Sequence, residues 1–203
     1  MRPDRPITLH GFKLSGHSHR AELMLRLLDL PFAFQEVDIF KGAQNSDAFR
    51  KLNRFGAVPV LEDGGTVVPD SVAILVYLAS RYDPERRWLP EDPARAARVQ
   101  RWLSAAQNQI AHGPAAARVI RRFGVQRDLA QAQAIAERVF KVMDAELAER
   151  DFVAEDAPTV ADVALYSYTS VAPEGGIALE SYPAIQAWLA RMETLPRFEA
   201  MPR

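Results

Sequence analysis

The sequence predicts an α/β domain followed by an all-α domain, and three observations carry this. Up to about residue 83, β-rich runs and helical-period runs follow in the order strand, helix, strand, helix, strand, strand, helix. A proline-punctuated stretch, Pro84 to Pro93, then breaks the pattern. Beyond it every periodic segment has helical spacing. The expected division is therefore a first domain over 1–83, a linker over 84–92 and a helical domain over 93–203. A chain of 203 residues can give each a core of its own.

Ile7 to Phe12 reads as the first strand. Ser15 to Leu30 reads as a turn and then a helix, with Ala21, Met24, Leu25 and Leu28 at helical spacing and Pro31 ending it. Phe34, Val37 and Ile39 mark a strand, and Ser46 to Leu52 a short helix. Val58–Leu61 and Thr66–Val68 form a hairpin across Asp63-Gly64-Gly65. Ser71 to Tyr82 is an apolar helix. In the second part, Asp92-Pro93 is a cap followed by proline at the first helical position. Val99, Trp102, Leu103, Ala106 and Ile110 then share a face, and Gly113-Pro114 should kink or interrupt that helix. A long helix follows over Arg127–Arg150, with Leu129, Ala132, Ile135, Ala136, Val139, Phe140, Met143 and Leu147 inward. Two more lie near Val160–Ser170 and Pro183–Met192.

Composition narrows the function. The 25 Lys+Arg balance 26 Asp+Glu, so no field favours nucleic acid. The longest apolar run, Val72 to Ala79, is too short for a bilayer, and no apolar signal core follows Met1. A soluble cytoplasmic protein is expected. There are no cysteines, which excludes disulfides, thiolate metal sites and any protein-borne thiol nucleophile. If sulfur chemistry occurs, the ligand brings the sulfur.

Asn53-Arg54-Phe55-Gly56-Ala57-Val58-Pro59-Val60-Leu61 is the most telling stretch. The proline pushes Val58 toward an extended conformation, leaving its N–H and C=O to pair with another backbone. A cis bond at Pro59 would turn the chain sharply there. Soon afterwards Asp70-Ser71 opens a helix whose free N–H groups suit a carboxylate. A small peptide bearing a carboxylate is the implied ligand.

This layout resembles the cytosolic glutathione transferase family, with a thioredoxin-like domain before an all-helical one. Asn53-x-x-Gly56-x-Val58-Pro59-Val60-Leu61 is similar to its Asn-Pro-x-Gly-x-Val-Pro-x-Leu segment, and Asp70-Ser71 to its acidic-Ser pair. Leu9-x-Gly11 with Ser15-Gly16-His17-Ser18-His19-Arg20 is similar to the first strand and serine loop of serine-type, theta- or zeta-like bacterial members. Thr159-x-x-Asp162 matches a capping box in the helical domain.

The resemblance implies glutathione as co-substrate, no metal, a small apolar electrophile as second substrate, a homodimer and a role in detoxification. It assigns Ser15 to donate a hydrogen bond to the glutathione thiolate, with Ser18 the rival; each could instead be a plain turn or cap residue. Val58 would pair with the cysteinyl backbone, beside a cis Pro59. Ser71 would hold the γ-glutamyl carboxylate and Asp70 its ammonium. Family members often hold the glycine carboxylate with a His or Lys after the second strand. Here Gln44 and Asn45 align there, and nearby Lys41 is the substitute cation. His17, His112, Arg118 and Tyr166 are candidates for the electrophile site, expected between the domains. Related readings stay open: a glutathione-dependent isomerase, dehalogenase or peroxidase-like enzyme, or a non-catalytic interaction module.

Overall fold

The computed structural model describes residues 2–202. They form two compact units, one running up to Arg86 and including Pro196–Pro202, the other Arg87–Leu195. Met1 and Arg203, the ends of the expected domains, lie outside the described residues.

The first unit contains β1 (Ile7–Gly11), α1 (Gly16–Leu27), β2 (Phe32–Glu36), α2 (Asp47–Leu52), β3 (Val60–Asp63), β4 (Thr66–Pro69) and α3 (Ser71–Tyr82). Its four-stranded sheet has the order β2-β1-β3-β4. β1 runs parallel to β2, and α1 supplies the crossover such a pair needs. β3 is antiparallel to both β1 and β4. Asp63 pairs with Thr66 across Gly64 (φ 53°) and Gly65 (φ 92°), a two-residue turn that requires positive φ at both positions. Alternation splits the sheet into faces. His10 and Val60 look toward α2, where the His10 ring meets Phe49 edge-on and Val60 packs with Phe49 and Val37. The fully buried Leu9 and Leu61 alternate with them, and α1 and α3 pack together over that opposite face.

Two boundaries differ from expectation. Ile39 leaves the sheet because the Asp38 carboxylate accepts from the N–H groups of Phe40 and Lys41, closing a 3₁₀ turn over Ile39–Lys41. β3 begins at Val60, so Val58 precedes the strand. The final segment also belongs elsewhere than expected. Arg26 pairs with Glu199 at 2.9 Å, Arg197 with Asp29 at 2.9 Å, and the buried His19 donates from Nε2 to the Glu199 carbonyl at 3.0 Å. With Met201 also buried, Pro196–Pro202 is part of the first unit.

The second unit is helical: α4 (Pro93–Ala105), a π-helical segment (Ala106–Ala115), α5 (Ala116–Phe123), α6 (Leu129–Glu149), α7 (Val160–Ser170) and α8 (Pro183–Glu193). The expected face of Val99, Trp102, Leu103, Ala106 and Ile110 is buried throughout. Gly113-Pro114 does not interrupt the helix; it lies in the wider π turn, which absorbs the hydrogen bond that Pro114 cannot make. Gly113 is needed for contact, since a Cβ there would lie 2.9 Å from the Ala136 nitrogen on α6. α7 is buried on all sides. Its capping box is formed, and the buried Asp162 also accepts from the Val153 N–H and the Trp188 indole, each at 3.0 Å.

Candidate functional site

The N-terminus of α1 brings Ser15 and Ser18 together in different environments. Ser15 is the N-cap, half-buried, and its Oγ accepts from the Ser18 N–H at 3.4 Å. That uses a lone pair and leaves the hydroxyl proton to donate. Ser18 is 1% exposed, and its Oγ accepts from the Phe12 N–H at 3.1 Å. A Cβ on Gly11 would lie 3.0 Å from that same oxygen, so Gly11 gives Ser18 its room.

The N-terminus of α3 lies close by. Asp70 takes φ 80°, a conformation that costs a non-glycine residue roughly 1–3 kcal/mol. From there Oδ1 accepts from the N–H groups of Val72 (2.8 Å) and Ala73 (3.0 Å), while the Asp70 carbonyl accepts from Ile74. Among the N–H groups of Ser71, Val72, Ala73 and Ile74, that of Ser71 is left without a backbone or capping partner among the described residues. The Ser71 hydroxyl accepts from Arg20 Nη1 at 3.4 Å and lies 3.4 Å from His17 Nδ1. Desolvation, and then the Arg20 charge, lowers the His17 pKa to about 3, so its ring is neutral at physiological pH. Arg20 is wholly buried; sequence reasoning missed it, and the signal was an arginine on the apolar face of a predicted helix, one residue before Ala21.

The Val58–Pro59 bond is cis. The Val58 side chain packs against the Val37, Phe49 and Val60 cluster, while its N–H and C=O make no backbone hydrogen bond among the described residues. Asn53 sustains this geometry: its amide donates to the Ala57 carbonyl at 2.7 Å and its oxygen accepts from the Phe55 N–H at 3.0 Å. Lys41 is exposed and pairs with Asp38 at 3.0 Å. Gln44 is half-buried, with its amide oxygen buried and unbonded.

In the second unit, Arg118 is buried, and its Nε donates to Glu174 at 2.8 Å. Tyr166 is buried and donates to Glu193 at 2.7 Å. His112 lies in the π-helical segment, with Nδ1 2.9 Å from the Asn108 carbonyl. Ser15, His17, Ser18, Val58, Pro59, Asp70 and Ser71 thus all belong to the first unit, and His112, Arg118 and Tyr166 to the second. Among the described residues no group of three His, Asp or Glu side chains is arranged to hold a metal, and no helix is long and apolar enough to cross a membrane.

Comparison with known proteins fits this architecture. The family model for the glutathione S-transferase N-terminal domain matches residues 9–86, and that for the C-terminal domain matches residues 108–196. The chain belongs to the glutathione S-transferase family. Maize glutathione S-transferase 3 is 32% identical over 205 residues, covering 96% of this chain and 92% of the relative. Rat glutathione S-transferase theta-2 is 29% identical over 192 residues, covering 89% and 78%. A glutathione S-transferase structure from Pseudomonas fluorescens superposes with a TM-score of 0.92 at 33% identity, covering 98% of this chain and all (100%) of that one. A glutathione transferase homologue from Drosophila mojavensis, solved with bound glutathione, superposes with a TM-score of 0.83 at 26% identity, covering 94% and 89%. The glutathione S-transferase fold of this chain is therefore the thioredoxin-like unit followed by the helical one, in a family whose named members are transferases.

Proposed function

We propose that this chain binds glutathione along Val58 and delivers its thiolate, held by Ser15, to a small apolar electrophile. The observation that carries the reading is the open backbone edge of Val58 beside an α3 N-terminus with one N–H to spare. The cysteinyl unit pairs with the Val58 N–H and C=O as one strand pairs with another. The γ-glutamyl carboxylate takes the Ser71 N–H, and its ammonium takes Asp70. Asp70 caps α3 through Oδ1 and brings the negative charge that suits an ammonium.

Ser15 serves the thiolate for two reasons. Its hydroxyl is only half-buried and can be reached by a ligand, whereas the Ser18 hydroxyl is buried; each oxygen accepts one N–H. It also stands where the α1 dipole favours negative charge. The thiolate forms the new C–S bond; in a displacement the leaving group departs with its electron pair, and in an addition the developing carbanion takes a proton from solvent. Neutral His17 can offer the electrophile a hydrogen bond or a ring face, not a charge. Arg118 and Tyr166 we assign to holding the second unit together, since Arg118 Nε donates to Glu174 and the Tyr166 hydroxyl to Glu193, and His112 remains its candidate for electrophile contact. Family membership is what supports a serine-type, homodimeric, cytoplasmic enzyme.

Calorimetric titration with glutathione, followed by turnover with a panel of electrophiles, tests the reading. Binding and a stable conjugate are expected. Absence of binding removes the reading; binding with glutathione recovered unchanged after turnover makes it a cofactor, as in an isomerase.

A further inference from the structure

We propose that Arg50 supplies the positive charge for the glycine carboxylate of glutathione, a place where neither Lys41 nor the Gln44-Asn45 pair provides one. The inference rests on the glutathione reading above. A peptide paired to Val58 with its γ-glutamyl end at Asp70 and Ser71 must run its other end away from α3. That end is the corner formed by Gly56, Asn45 and α2. One residue of extended peptide spans about 3.3 Å, so the terminal carboxylate lies only one step beyond the cysteinyl unit.

The side chains at this corner narrow the choice. Lys41 is engaged by Asp38, and that hydrogen bond holds the Asp38 carboxyl below its ordinary range. Gln44 is neutral, so its amide can donate a hydrogen bond to a carboxylate but brings no charge. Asn45 already gives its oxygen to Arg50. Arg50 is exposed, and its three protein contacts are all to neutral oxygens: the Asn45 carbonyl (3.3 Å), Asn45 Oδ1 (3.1 Å) and the Arg54 carbonyl (3.4 Å). No acidic side chain pairs with it among the described residues. A guanidinium has five N–H donors, so two remain. Those contacts also fix its place: Nη2 lies 3.6 Å from where a Cβ on Gly56 would be, two residues before Val58. The cation is held in position without being neutralised, a pre-organised arrangement for an incoming carboxylate.

The same contacts could simply brace the 53–57 loop, so the test must separate charge from bracing. Calorimetry on the full chain compares glutathione with its glycyl monoethyl ester, for the parent, Arg50→Gln and Arg50→Lys. The parent should prefer glutathione to the ester. Arg50→Gln should weaken glutathione roughly fivefold, as for a well-formed exposed ion pair, and leave the ester nearly unchanged. Arg50→Lys, which keeps the charge but not the fork, should retain most of the preference. Equal weakening of both ligands in Arg50→Gln, no weakening of either, or a parent that binds both alike overturns the proposal while the glutathione reading stands. A parent that binds neither ligand overturns both.

Discussion

Removing the Ser15 hydroxyl should raise the pKa of the bound thiol without unfolding the enzyme. A thiol of pKa about 8.5 is only about 3% ionised at pH 7. A hydrogen bond to a charged group contributes roughly 1.5–3 kcal/mol, which lowers the pKa by about 1–2 units. The bound thiolate would then make up roughly a quarter to three quarters of the glutathione at pH 7. Ser15→Ala should therefore cost about 8- to 25-fold in rate at pH 7. The deficit should close as pH rises past the free thiol's value. The stability cost should be small, because the cap bond to Ser18 N–H is long at 3.4 Å and sits at the weak end of the range for caps, below about 1 kcal/mol. Ser18→Ala should show the reverse. It leaves the buried Phe12 N–H without an acceptor, costing about 1–3 kcal/mol, with the thiol pKa unmoved. Ultraviolet titration of the thiolate in the complex, beside thermal melting, reads both effects. A thiol pKa unchanged in Ser15→Ala, or moved instead in Ser18→Ala, refutes the reasoning.

Three further outcomes follow from the packing. Burial lowers the His19 pKa to about 4, against a smaller opposing effect of its bond to Glu199; the unfolded chain binds a proton first, so stability falls as pH drops from about 6.5 toward 4, by about 3 kcal/mol in all. His19→Gln should flatten that part of the acid limb in a denaturant series, and a parent with level stability from pH 7 to pH 4 would contradict it. Gly113→Ala should destabilise by roughly 1–3 kcal/mol, since the new Cβ meets Ala136 backbone at 2.9 Å, and an unchanged midpoint in urea would show that α6 yields freely. Trp188→Phe should cost about 1–3 kcal/mol by taking a donor from the buried Asp162, with the thiol pKa unaffected, and a melting temperature equal to the parent's would count against that network.

Most of the site was legible because its signals are local. Asp63-Gly64-Gly65 fixes a hairpin, Pro59 shapes Val58, and Asp70-Ser71 and Thr159-x-x-Asp162 open helices by capping, each within a few residues of sequence. What was hidden depends on distant partners. Pro114 does not end its helix, because it sits in a π turn, and Gly113 before it packs closely on Ala136 of α6. Pro196–Pro202 leaves the helical unit through ion pairs to Arg26 and Asp29, more than 160 positions away. Arg20 stands on the apolar face of its predicted helix, but nothing near it in sequence shows that Ser71 on α3 is its partner. Nothing local in the sequence places Arg50 beside Gly56; its contacts with Asn45 and the Arg54 carbonyl do.

A structure of the chain with glutathione bound puts the whole arrangement in one view. The cysteinyl backbone should pair with the Val58 N–H and C=O, the γ-glutamyl carboxylate should meet the Ser71 N–H, and the sulfur should lie within hydrogen-bond reach of Ser15 Oγ. A tripeptide seated away from Val58, or a sulfur out of reach of Ser15, would contradict the account.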